Sequence, residues 1–140
     1  MTFEDLPDHW NELPLTDPTM TADAVDLVLS DRDRAACSLL VLLCDDDFVP
    51  LQPIVIGEVD WNCSARERRK GFSWLKDVPV GGVVVAISAM HQLPTTMARR
   101  WLRTAQAELR DGPTLLGFYT AAVGEEPRAV EQPVADEIAS

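Results

Sequence analysis

At 140 residues, with 46% apolar and 25% charged side chains, the chain has the size and balance of one globular domain with a real core. Its net charge of −11 argues against wholesale binding to nucleic acid or membrane, and no apolar run approaches the roughly 20 residues of a membrane span. The acidic start, Met1 to Asp8, lacks a signal-peptide pattern, and the three cysteines include no C-x-x-C pair, so a cytoplasmic location is expected.

In chain order, residues 1–16 read as an N-terminal extension broken by Pro7 and Pro14, with Trp10 and Leu13 as anchors and one helical turn over 8–12. Asp17-Pro18 is a start signal, an acidic N-cap followed by proline at the first helical position. Met20, Ala24, Val25, Val28 and Leu29 then recur at helical spacing, which predicts a helix over 18–30. A charged connector, 31–36, leads to Cys-Ser-Leu-Leu-Val-Leu-Leu-Cys at 37–44, the continuous apolar run of a strand covered on both faces. Asp45-Asp46-Asp47 reads as a solvated hairpin turn rather than a cation site, because adjacent carboxylates cannot converge and the EF-hand spacing is missing. Residues 48–59 form the second strand, which Pro50 and Pro53 push to a sheet edge or a bulge.

Ser64-Ala65-Arg66-Glu67 has capping-box spacing and opens a helix to about Lys76, with Ala65, Phe72 and Leu75 on its apolar face. A strand over 83–88 follows, then a loop, then a helix over 97–110 with Thr95 or Thr96 as N-cap and a stop at Gly112-Pro113. Met97, Ala98, Trp101, Leu102, Ala105 and Leu109 make its buried face, and residues 114–122 are the last strand. From Gly124 to residue 140 the composition is that of an acidic flexible tail. The expected fold is a single α/β domain over 17–123, a central mixed sheet with three helices in the order α-β-β-α-β-α-β. An antiparallel hairpin feeds two right-handed parallel crossovers.

This order resembles the MPN (JAB) fold of RadC-like proteins and deubiquitinating metalloproteases over about residues 37–122. The carrying stretch is Val-Val-Val-Ala-Ile-Ser-Ala-Met-His-Gln-Leu-Pro-Thr-Thr-Met-Ala-Arg-Arg-Trp. The resemblance implies a metal loop of His-x-His-Pro, then Ser, then Asp about ten residues on, with a Glu from an earlier strand. Here only His91 and a shifted Pro94 remain, Glu58 falls roughly where that Glu would, and no Asp lies between Asp77 and Asp111. A hydrolytic zinc needs about three protein ligands and an open position, so the resemblance implies a degenerate member with no metal or other cofactor. The cytidine-deaminase fold has a similar order, but its H-x-E and P-C-x-x-C motifs are absent.

Two candidate sites follow. The first is the loop 88–96 behind a parallel strand, where Ser88, His91, Thr95 and Thr96 would line a hydrolase-type site with Glu58 or Cys63. The plainer reading of His91 is an ordinary loop histidine. Cys63 precedes a helix N-terminus that would lower a thiol pKa, whereas Cys37 and Cys44 point to opposite faces as buried apolar residues. No Gly-rich phosphate loop and no G-x-S-x-G elbow is present.

The second site is a surface of charge. Residues 1–63 carry a net −12, residues 64–110 a net +6 and residues 111–140 a net −5. Arg99, Arg103 and Arg110 fall in one arc of the last helix with Arg100 beside it, and Arg66, Arg69 and Lys70 cluster on the earlier helix near Trp74. An outward Trp beside cations is the composition of an interface hot spot; the plainer reading is a solvated basic face that offsets the acidic flanks, with Trp74 tucked under a loop or the N-terminal segment. The function favoured is a non-catalytic scaffold that binds an acidic protein partner, or a second copy, through the two basic helices. The acidic flanks make nucleic acid the weaker alternative.

Overall fold

The continuous apolar run at 39–44 becomes β1 (Leu39–Cys44), and all six of its residues are buried. A computed structural model describes residues 8–131; the remaining parts of the N-terminal extension and the acidic tail lie outside them. Among these residues one mixed five-stranded sheet runs in the order β2-β1-β3-β4-β5, with β2 Pro50–Ile56, β3 Gly82–Ala89, β4 Thr114–Ala122 and β5 Arg128–Ala129. Four helices pack on it: α1 Pro18–Val28, α2 Asp31–Ala35, α3 Ala65–Ser73 and α4 Thr95–Glu108.

β1 is antiparallel to both β2 and β3, so β2 and β3 run parallel to each other; β3 and β4 pair in parallel directly. The connections through α3 and α4 therefore both step the same way across the sheet, and connections of one hand then share a face. They do: Phe72 and Leu75 join Trp101, Leu102 and Leu109 in one core over Leu39, Val41, Val83, Val85 and Ile87. Alternate residues of the same strands, Leu40, Leu42, Val84 and Ala86, pack on the opposite face with Leu15, Ala24, Val25 and Leu29. Two covered faces explain why β1 and β3 read as unbroken apolar runs.

Local chemistry sets the element ends. Asp17 accepts from the Thr19 amide at 2.9 Å and Pro18 takes the first position of α1, which stops at Val28, two residues short of expectation. The acidic turn closes on itself, with Asp45 Oδ1 accepting from the amides of Asp47 and Val49. β2 is the sheet edge, and its ladder to β1 slips between Leu43 and Cys44, so its two prolines mark an edge strand and an irregularity together. Ser64 caps α3 through the Glu67 amide, but the Glu67 carboxylate turns to Lys70 at 3.2 Å instead of closing the box. The α-helical part ends at Ser73, a 3-10 turn continues over Trp74–Asp77, and Ala65 is exposed rather than part of the apolar face.

Three expectations need correction. The charged connector contains α2, whose Ser30 and Asp33 form a full reciprocal capping box, giving four helices rather than three. The N-cap of α4 is Pro94, which offers no side-chain acceptor, and Thr95 is already helical. Part of the expected tail is β5, paired antiparallel with Tyr119 and Thr120. At the other end, the 3-10 turn Trp10–Glu12 and Leu15 pack the extension against the α1 face, and the Leu15 amide donates to the Phe48 carbonyl at 2.9 Å.

Candidate functional site

The loop after β3 is built around a buried hydroxyl. Ser88 Oγ donates to the Ser38 carbonyl at 2.7 Å and accepts from the Ser38 amide at 3.2 Å, so it braces β1 and β3 instead of facing a substrate. The Ser88 carbonyl takes the indole N–H of Trp61 at 3.0 Å. His91 is exposed, and Glu58 is exposed in a left-handed conformation (φ 57°) with its amide committed to the Ala36 carbonyl. Burial raises the Cys63 thiol pKa, opposed by Arg68 and reinforced by Asp60 and Glu67, so the helix start does not activate it. Among the described residues no three His, Cys, Asp or Glu side chains are grouped to hold a metal ion.

Of the expected loop residues, Thr95 lines a cavity at this end of the sheet, while Thr96 lines a groove between α3 and α4. The cavity, about 300 Å³, sits at the carboxyl end of the parallel β3–β4 pair, where open α/β sheets hold their ligands. The first turn of α4 contributes Thr95, Ala98 and Arg99; the loop contributes Gln92 and Leu93; β5 and its continuation contribute Arg128, Val130 and Glu131. Thr120 Oγ1 donates to Gln92 Oε1 at 3.1 Å, while Gln92 Nε2 is buried and has no partner among the described residues. Gln92 and Arg128 carry no motif, and only the placement of β5 beside α4 brings them together.

The basic surface is more extensive. Because α3 and α4 lie side by side, Arg68, Thr96, Arg99, Arg100, Arg103 and Thr104 line one open groove of about 500 Å³. Arg69 and Arg103 line a second, smaller one next to it. Arg68, which the charge-face reading passed over, bridges the helices. Its Nε donates to Thr104 Oγ1 at 3.4 Å and a terminal nitrogen to the Cys63 carbonyl at 3.2 Å. Arg66, Arg69, Arg99, Arg100, Arg103 and Arg110 are all exposed, and none enters an ion pair among the described residues. The cations on this face that do pair are Lys70, with Glu67, and Lys76, with Glu108 at 3.0 Å.

Arg66 and Arg110 line neither groove. Of the two readings of Trp74, outward anchor or tucked side chain, the structure is nearer the second, though against the helix core rather than a loop or the N-terminal segment. Trp74 is half-buried against the α3–α4 core, and its indole N–H donates to the Gly71 carbonyl at 2.8 Å. The groove is thus a guanidinium surface whose planar donors suit carboxylates, with little apolar anchor of its own. Comparison with protein-family models, curated proteins and solved structures returned no match for this chain.

Proposed function

We propose that this chain is a binding module whose α3–α4 face docks an acidic segment of a protein partner. The observation that carries the reading is the groove itself. Arginines from two helices converge there, and those of α4 that line it have no ion-pair partner among the described residues, in a chain whose net charge is −11. Each exposed cation–carboxylate pair contributes only about 0–1 kcal/mol, so several must act at once. A groove lined by Arg68, Arg99, Arg100 and Arg103 allows that. The acidic surface of a second copy has the right charge as well. The scaffold reading also keeps the MPN-like order as a frame without the metal loop; Glu58 and His91 are both exposed.

The test is a titration of a fluorescently labelled polyglutamate peptide at low and at high salt, beside a duplex oligonucleotide of equal charge. Arg100→Glu/Arg103→Glu should weaken the peptide about tenfold or more. An oligonucleotide that binds more tightly and holds on at high salt would replace this reading with a nucleic-acid one.

A further inference from the structure

We propose that the cavity between the first turn of α4 and β5 is a second, separate site, for a small monocarboxylate with a short apolar tail. It does not depend on the protein-docking reading, although Arg99 lines both the cavity and the groove.

Four features select the ligand. The volume, about 300 Å³, lies at the small end of the range for small-molecule sites. Two arginines from unrelated elements line it, Arg99 from α4 and Arg128 from β5. Arg99 has no ion pair among the described residues. Arg128 holds Glu125 at 3.0 Å in an exposed pair of the kind that exchanges partners at little cost. Gln92 supplies the third donor. Its amide is held at one end by Thr120, its buried Nε2 has no acceptor among the described residues, and a turn into the cavity would give it a ligand oxygen.

The rest of the lining sets the limits. Glu131 stands on the same wall and opposes a second negative charge, which favours a carboxylate over a phosphate dianion. Leu93, Ala98 and Val130 offer apolar surface to a tail of a few carbons. The carboxylate would lie at the Arg99–Arg128–Gln92 corner, with the tail directed toward these three.

The experiment is an amide-resolved NMR titration of the full chain with butyrate, inorganic phosphate and 1-butanol. Butyrate should give saturable shifts at residues 92–99, 120 and 128–131, with phosphate and butanol each at least about tenfold weaker. Arg128→Gln, an exposed replacement, should weaken butyrate about tenfold, and Arg103→Gln should leave it unchanged. Absence of saturable shifts, equal binding of butanol, tighter phosphate, or shifts centred on Arg100 and Arg103 would each overturn the proposal. Shifts centred on Arg100 and Arg103 would move the carboxylate to the docking groove; the other results leave acidic-peptide docking untouched, since it is read with a different probe and the Arg100/Arg103 variant.

Discussion

The indole nitrogen of Trp101 donates to the backbone carbonyl of Trp61 at 3.0 Å, and the two rings meet edge to face with centroids 5.0 Å apart. Trp61 in turn donates to the Ser88 carbonyl, and Ser88 to the Ser38 carbonyl. One line of hydrogen bonds thus joins α4, the loop after β2, the end of β3 and the approach to β1. It fixes the helix that carries most of the groove arginines against the sheet.

Replacing Trp61 by Phe keeps the aromatic contact but strips the Ser88 carbonyl of a buried donor, an expected loss of about 1–3 kcal/mol. Trp101→Phe does the same to the Trp61 carbonyl, with a loss of similar size. Because the two rings touch, the double variant should depart from additivity by about 0.5 kcal/mol or more. Urea unfolding of the three variants beside the wild type measures this.

Arg34 is 3% exposed and acts as a staple on the other face. Its Nε donates to the Leu29 carbonyl, one terminal nitrogen to the carbonyls of Ala122 and Glu125, and the other to the carbonyl and carboxylate of Asp26. Arg34→Met should cost about 3–5 kcal/mol, since it strands buried carbonyls and breaks a largely buried ion pair. Arg34→Lys should rescue little, because an ammonium cannot span the same acceptors. Thermal melts of both variants check the order.

Alkaline pH should loosen the fold through Cys44. Burial, with the Asp45 carboxylate beside it, pushes this thiol from 9.0 up to about 11. The folded state therefore keeps a proton that the unfolded chain releases, so the stabilisation is full below pH 9.0 and drains away as pH rises to about 11. Burial, followed by the charge of Asp17, raises Tyr119 too, so it acts in the same direction. Urea midpoints followed through this window should fall, and Cys44→Ala should flatten the fall while lowering stability at neutral pH.

Gly81 is needed for close approach. A Cβ there would lie 2.4 Å from the Asp46 Cα and 2.6 Å from the Asp45 carbonyl oxygen, both backbone atoms that cannot swing aside. Gly81→Ala should cost at least the roughly 1–3 kcal/mol typical of overpacking. Gly71→Ala is the control, since its nearest contact, Leu39 Cδ2 at 3.7 Å, is ordinary packing.

What could be read from the chain follows its periodicity. Leu39–Cys44 and the strand at 83–88 were legible because burial on both faces writes itself as an unbroken apolar run. α4 was legible because Ala98, Trp101, Leu102 and Ala105 keep helical spacing. α2 was not, since five residues show no apolar period, although Ser30-x-x-Asp33 was a visible capping signal. Trp61 stood among polar neighbours, and only the fold reveals it as the mate of Trp101. Of the basic arc on α4, Arg99 and Arg103 line the groove together with Arg100, whereas Arg110 lies past the helix end and lines neither groove; the face that α3 turns to it was not legible. Arg68 rather than Trp74 therefore faces the groove. The cavity was half legible: its loop and Thr95 came from the position behind β3, whereas Arg128 entered through a two-residue strand too short to announce itself.

The docking of an acidic segment on the α3–α4 face is tested most directly by mapping a bound polyglutamate peptide on the backbone amides of the full chain. The expected shifts centre on residues 66–70 and 96–104, fade as salt rises, and disappear in Arg100→Glu/Arg103→Glu. Shifts confined to the α1 face, or none at peptide concentrations that saturate an arginine-rich control, would contradict it.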